Sequence, residues 1–155
     1  MKKILSVLSM KAFAARTLAN DPLQKFMFRV TVPGLPAGIG FQKVGGLSRE
    51  VGVVEYLEGL YTYTHKLAGR EKVGEVTLER GSYASKELEQ AYTKILKDPK
   101  ARNTVIIEIL DRFGKAKRTY KLAEAWVSKW EGSDLDATSD DVAIEKITIQ
   151  FEYFL

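Results

Sequence analysis

The sequence contains no cysteine and a single histidine, His65. The first absence excludes disulfides, thiolate zinc sites and a cysteine nucleophile. The second rules out a multi-histidine metal cluster and makes most Ser/His/Asp arrangements hard to build. No apolar run reaches the about 18 residues that a membrane-spanning helix requires. Acids are missing from one stretch only. Four of the 24 bases, Lys2, Lys3, Lys11 and Arg16, lie in residues 1–20, and none of the 20 acids does. The rest of the chain is electrically balanced. The net charge of +4 therefore reports a basic arm, not a basic nucleic-acid-binding face.

What is present suits one globular domain. The chain has 155 residues, 45% hydrophobic and 28% charged. A domain of that size buries roughly 68–70% of its unfolded surface without covalent staples. In the arm, Lys2 and Lys3 precede an apolar run over residues 4–10, with Ala12, Ala14 and Ala15 beyond it. That is the outline of a secretory signal, but Lys11 ends the run at the lower length limit. The lack of acids also suits a transit peptide or a short amphipathic helix. The adopted reading is an arm over residues 1–20 that orders in place or on assembly, followed by one β domain over residues 21–155.

Phe26, Phe28, Val30 and Val32 alternate with polar or flexible residues, the mark of a half-buried strand. Pro33, Gly34 and Pro36 end it. A second strand is expected near residues 41–44. A long extended stretch follows over residues 47–78, and Val76 and Leu78 begin a strand that closes at Gly81. Ser85 is positioned to cap one helix, with Glu87 and Glu89 in its first turn. Leu88, Ala91, Tyr92, Ile95 and Leu96 give it one apolar stripe, and Asp98-Pro99 stops it. Strands return over residues 104–111 and 116–129. The chain closes with Ile147, Ile149, Phe151, Tyr153 and Leu155 in alternation. With no βαβ rhythm, the pattern is mainly β: an antiparallel sandwich or barrel with one flanking helix.

The candidate chemical motifs fail on their own terms. Gly38 and Gly40 lack a third glycine and lead into a strand; Gly69 and Gly74 have phosphate-loop spacing, but Glu75-Val76 stand where Lys and Ser/Thr belong. Asp134, Asp136, Thr138, Asp140 and Glu145 match calcium-loop positions, yet Ser139 replaces the turn glycine and a strand follows. His65 reads as a structural or surface histidine, and Ser82 and Ser85 as caps. Tyr56, Tyr61 and Tyr63 with Lys66, Arg70 and Lys72 suggest a base-stacking platform, but Glu50, Glu55, Glu58, Glu71 and Glu75 interleave with them. The reading is of a protein that is not an enzyme and uses no cofactor or metal.

The stretch over residues 47–78 is the unusual feature. Folded as one hairpin, its arms would reach about 50 Å at ~3.3 Å per residue. That overhangs a domain of this size and exposes unpaired edges. Neighbouring copies pairing edge to edge into a closed ring would cover them. The expectation is a structural assembly protein whose long hairpin pairs between subunits.

The same residues resemble a known family. The series runs from Asp21-Pro22 through residues 26–32 and Val44-Gly45-Gly46-Leu47 to Glu50, Glu55-Tyr56, Glu58-Gly59, Lys66-Leu67, Gly69-Arg70 and Lys72. It is strongest at Gly74-Glu75-Val76-Thr77-Leu78-Glu79-Arg80-Gly81, and continues at Ile109-Leu110-Asp111, Gly114 and Ala125-Trp126. In this order it resembles the tail tube proteins of contractile-tailed bacteriophages and their relatives in R-type bacteriocins and extracellular contractile injection systems. The resemblance implies hexameric rings stacked into a hollow tube inside a contractile sheath. It implies a tape-measure protein, a baseplate and a tail terminator as partners, passage of DNA through the bore, and no membrane anchor. It also implies a place in the virion, after assembly in the host cytoplasm. The chain departs from the family at the apolar, aromatic residues 60–64 and at Ala68, where proline is common.

Three site expectations follow. The inter-subunit hairpin is expected to use Leu47, Val51, Val53, Tyr56, Tyr61, Tyr63, Leu67, Val76 and Leu78. The bore is expected to be lined by Glu50, Glu55, Glu58 and Glu75, whose negative charge would keep DNA from adhering. Lys2, Lys3, Lys11 and Arg16 are expected to touch an adjacent ring or the sheath. Two other readings stand beside these: a bacterial injection-system or bacteriocin tube, and a small nucleic-acid-binding β-barrel.

Overall fold

The computed structural model describes residues 22–36 and 38–155. The basic arm with Lys2, Lys3, Lys11 and Arg16 lies outside the described residues. The remainder forms β1 (Phe28–Thr31), β2 (Lys43–Gly45), β3 (Arg49–Tyr56), β4 (His65–Val73), β5 (Val76–Gly81), α1 (Glu87–Lys97), β6 (Asn103–Leu110), β7 (Ala116–Glu131), β8 (Ile144–Gln150) and β9 (Tyr153–Phe154). Every pairing is antiparallel. Seven strands make one sheet in the order β1-β6-β7-β8-β5-β2, with β9 added beside β7. The sheet is not closed into a barrel, and β3 and β4 stand apart from it as a separate two-stranded ribbon.

Period-two alternation places the core. β5 buries Val76, Leu78 and Arg80 on one face, β6 buries Val105 and Ile107, and β8 buries Ile147 and Ile149. β7 spans the whole sheet and changes partner midway. Its first half pairs with β6 and its second half with β8. Buried residues switch from even Leu122 to odd Ala125 and Val127. The switch falls at Glu124, whose φ of 53° inserts one extra residue opposite β6. That bulge lets both halves of one strand face the same core.

The chain end also breaks step. Ile147, Ile149 and Phe151 are buried as the alternation requires, but Tyr153 and Leu155 are exposed. The strand stops at Gln150, and β9 pairs instead with Leu122 and Ala123. Phe154, not Tyr153, packs inward, its ring 4.9 Å from that of Phe151.

The helix packs on β7 and buries Leu88 fully in the core. Glu87 and Glu89 at its start and Lys94 and Lys97 at its end complement the helix dipole. Ser85 is not its cap: the helix begins after Lys86, and no side chain caps it. Its first turn is held from the core instead. Arg80 is 3% exposed and stands on the inward face of β5. Its Nη1 donates to Glu87 on α1 at 3.0 Å and its Nη2 to Glu145 on β8 at 3.3 Å. Trp130 Nε1 donates to the other oxygen of Glu145 at 3.2 Å. A buried charge is tolerable only when paired and hydrogen-bonded in this way.

The ribbon leaves the body through a narrow crossing. Gly46, at φ 84°, passes so close to Glu75 that any Cβ would collide with the Glu75 carbonyl. Gly74 meets the Ser48 side chain and the Gly46 carbonyl in the same way, and its N–H donates to Ser48 O at 3.1 Å. The crossing fixes where the ribbon ends. The hairpin was expected over residues 47–78. It occupies β3 and β4 only, because the chain turns at Gly74-Glu75 and enters the core sheet. Val76 and Leu78 are fully buried there and Leu47 packs against the same core, so none of the three belongs to the ribbon. With eight and nine residues per strand, its arms reach about 26–30 Å, not 50 Å.

Two substitutions test this framework. Arg80→Ala strands the buried Glu145 carboxylate and unpairs the partly exposed Glu87, and should cost about 3–5 kcal/mol of unfolding free energy, measured by urea denaturation. Gly46→Ala meets both a backbone overlap and the left-handed φ penalty of about 1–2 kcal/mol, so it should raise proteolytic cleavage within residues 49–73.

Candidate functional site

β3 and β4 pair from Arg49 opposite Val73 to Tyr56 opposite His65. One irregularity, between Val51 and Val53, sets Gly52 against both Gly69 and Arg70. The pairing assigns each side chain to a face. One face carries Arg49, Val51, Val53 and Glu55 opposite Val73, Glu71, Ala68 and Lys66. The other carries Glu50, Val54 and Tyr56 opposite Lys72, Leu67 and His65.

Both faces expose apolar side chains among their charged ones. Val53 is 63% exposed, and Val51, Val54, Tyr56 and Leu67 are each more than half exposed. At the tip, Leu60 is 91% exposed, and Leu57, Tyr61 and Tyr63 are also exposed. The strand-forming composition is therefore not spent on this subunit's core. Among the described residues, the outer edge of each ribbon strand has no strand partner. A two-stranded ribbon of this kind has too little to bury to be stable by itself.

The expected hairpin residues divide accordingly. Val51, Val53, Tyr56 and Leu67 lie on the ribbon, and Tyr61 and Tyr63 in its tip. Leu47, Val76 and Leu78 belong to the body. The expected glutamates do not share one surface. Glu50 and Glu55 are five residues apart on an extended strand, so they face opposite ways, and each stands opposite a lysine, Lys72 or Lys66. Glu58 is in the tip, its carboxylate 3.7 Å from His65 Nε2. Glu75 lies on the body, where it accepts a hydrogen bond from Gln150 at 2.8 Å.

Electrostatics steadies the base and the tip in different ways. At the base, Arg49 donates to Glu71 across the ribbon, and that hydrogen bond raises the guanidinium pKa above its ordinary value. Arg49 also sits 5.3 Å over the Phe154 ring of the body. Since Arg49 and Val73 share a face and Val73 packs on the core, this face of the ribbon turns towards the body at its root. At the tip, His65 packs edge-on against Tyr61 and Tyr63, each with ring centres 5.2 Å away. The histidine is thus part of an aromatic cluster.

The sequence reading missed Val54, Leu57 and Leu60 as exposed site residues. Val54 was hidden because it breaks the alternation set by Val51 and Val53, and both faces of the ribbon are in use. It also missed Gly46 and Gly74, for which the Gly-Gly pair was the available signal. The calcium-loop set does not converge: Glu145 is turned inward to Arg80 and Trp130. No helix among the described residues is long and apolar enough to cross a membrane.

Residues 24–155 match the family model described as T4-like virus tail tube protein gp19. No curated protein matches the chain. Among solved structures, a chain of the anti-feeding prophage baseplate is 26% identical, with TM-score 0.75, covering 87% of this chain and 95% of that one. A chain of the PVC extracellular contractile injection system, from its sheath/tube terminator in the extended state, has TM-score 0.79 at 23% identity, covering 88% of this chain and 97% of its own length. Hcp1 of Flavobacterium johnsoniae is more distant, with TM-score 0.50 at 20% identity over 81% of this chain and 90% of that one. The family match spans nearly the whole described domain, including the ribbon and the crossing at its root, so the chain belongs to the T4-like tail tube protein family.

Proposed function

We propose that this chain is the subunit of a hollow tube in a contractile tail, built from stacked hexameric rings that are closed by the β3–β4 ribbons. The observation that carries the proposal is a ribbon with open edges and exposed apolar side chains on both faces. In a closed ring the outer edge of β3 meets the outer edge of β4 of the next copy, and no edge is left over. The face carrying Val51 and Val53 packs against the body of the neighbour, as its root already packs on its own body. Each of these side chains contributes about 1.5–3 kcal/mol on full burial. The ribbon can then be stable in the ring while remaining marginal in the monomer.

The opposite face lines the bore. It carries Glu50 but not Glu55. Glu50 stands opposite Lys72, and Val54, Tyr56 and Leu67 share their face, so the bore presents paired charge beside apolar side chains. Because affinity for a phosphate backbone comes mostly from unpaired cations, such a wall gives DNA little to hold. The tube needs no catalytic group. Its partners are further copies of itself, the sheath, a tape-measure protein filling the bore during assembly, the baseplate and a tail terminator. Its place is the virion, after assembly in the host cytoplasm. The arm over residues 1–20 reaches an adjacent ring or the sheath, and residues 21–155 form the tube domain.

An extracellular injection-system tube is the second reading, supported by the 26% identical neighbour in the anti-feeding prophage. The cargo separates it from a phage tail; the ring does not. A monomeric nucleic-acid-binding barrel is not supported by an open sheet.

Negative-stain electron microscopy of the purified chain should show hollow rings or tubes. The double variant Val51→Glu, Val53→Glu should keep the monomer's unfolding free energy within about 0.5 kcal/mol, since both sites are exposed, and abolish rings. Unchanged rings in this variant would overturn the ribbon's role. Deleting residues 1–20 should leave rings intact and shorten tubes. Tubes of unaltered length and stability would remove the arm from the contact.

A further inference from the structure

The two ends of β7 carry opposite charge. The turn before it and its first residues hold Arg112, Lys115, Lys117 and Arg118, all exposed. The loop after it holds Asp134, Asp136, Asp140 and Asp141, also exposed, and no base occurs between residues 131 and 145. Each end also displays a bare apolar side chain. Phe113 at the turn is 92% exposed and Leu135 in the loop is 90% exposed. These are among the most exposed large apolar residues of the domain, and neither belongs to the ribbon.

The turn is built to present its side chains. The Asp111 carboxylate accepts hydrogen bonds from the N–H groups of Phe113 and Lys115, each at 2.9 Å. The Lys115 bond is the main cause of an Asp111 pKa below the ordinary carboxylate range. Gly114, at φ 77°, completes the reversal. Phe113 is therefore held outward by backbone geometry, on a turn whose sequence neighbours include Arg112 and Lys115; Lys117 pairs with Asp111 at 3.7 Å and Arg118 lies over the Tyr120 ring. In the loop, Asp136 accepts from the Thr138 N–H at 2.9 Å and from its hydroxyl at 2.7 Å. The hydrogen bond from the Thr138 N–H is likewise the main cause of an Asp136 pKa below the ordinary range.

β7 has 16 residues, which span up to about 50 Å at ~3.3 Å per residue before the bend at Glu124. The two patches of one copy lie at opposite ends of this strand and cannot meet. Those of two different copies can. An apolar centre with complementary charges around it is the anatomy of a specific interface. A contact that joins one end to the other end is heterologous; where the copies it joins sit in successive rings stacked along one axis, it propagates as a filament.

We infer that the Phe113 turn of one copy docks on the Leu135 loop of a copy in the next ring, making this the polar joint that stacks rings in one direction. The inference rests on the tube reading and adds to it the surface that joins ring to ring. The joint is a surface of mostly exposed charge, so its strength falls as salt rises.

The test uses the full chain and two charge reversals. One variant carries Arg112→Glu, Lys115→Glu and Arg118→Glu. The other carries Asp134→Lys, Asp140→Lys and Asp141→Lys. Both spare Asp111 and Asp136, which hold the backbone. Each variant alone should still form rings but lose tubes, with mean length in electron micrographs falling at least about tenfold, given like charge at the joint. An equimolar mixture of the two should recover tubes of alternating rings, which also shows that neither variant was misfolded. Wild-type tubes matched in length by both reversals would overturn the joint and leave the tube reading standing. Failure of the mixture to recover would also overturn it. A wild-type chain that stays monomeric would overturn the tube reading together with the joint.

Discussion

A two-stranded ribbon cannot satisfy itself, and the rest of this molecule is arranged around that fact. β3 and β4 offer one open edge each and leave valine, leucine and tyrosine side chains in water on both faces. Burying those groups within the subunit would require a third strand or a covering helix, and neither is there among the described residues. The chain instead supplies a rigid exit. Gly46 and Gly74 let two backbone segments cross where any larger residue would push them apart, so the ribbon's direction is fixed by the body. A ribbon whose direction is fixed but whose surfaces are unmet is suited to a partner of fixed position, as in a symmetric ring.

The body is built to hold that exit steady. β7 runs through the sheet and serves both halves, and the bulge at Glu124 keeps its side chains aimed at one core. Arg80, itself buried, joins β5, β8 and the first turn of α1 through the buried Glu145 and the partly exposed Glu87. β5 starts immediately after the ribbon crossing. The buried ion network and the exit therefore share one strand, and rigidity in the core is passed directly to the ribbon's root. In the proposed tube the function is mechanical, and packing residues, glycines and ion pairs carry it.

Much of this was legible in the chain. Alternation at Val76 and Leu78 and at Ile147 and Ile149 marked core strands, and the stripe from Leu88 marked the helix. The ordered series around Gly74–Gly81 pointed to the family. The ribbon's length was over-read because β-branched and aromatic residues mark extended chain without marking a change of partner. Only Gly74-Glu75 separates the ribbon from the core strand. The helix cap was misplaced: no side chain caps the helix, and its first turn is tied to the core instead through the Glu87 side chain and Arg80, seven residues earlier and on another element. The flip at Glu124 left no trace, since a non-glycine residue at positive φ looks ordinary in sequence. The separation of Glu50 from Glu55 was readable from their odd spacing alone, yet charge suggested one surface where geometry gives two.

Amide hydrogen exchange, compared between dilute monomer and assembled particles, addresses the central claim most directly. The account predicts fast exchange over β3 and β4 in the monomer and strong protection in the assembly, with β5 and β8 protected in both. A ribbon already protected in the dilute monomer, or still unprotected in the assembly, would contradict it.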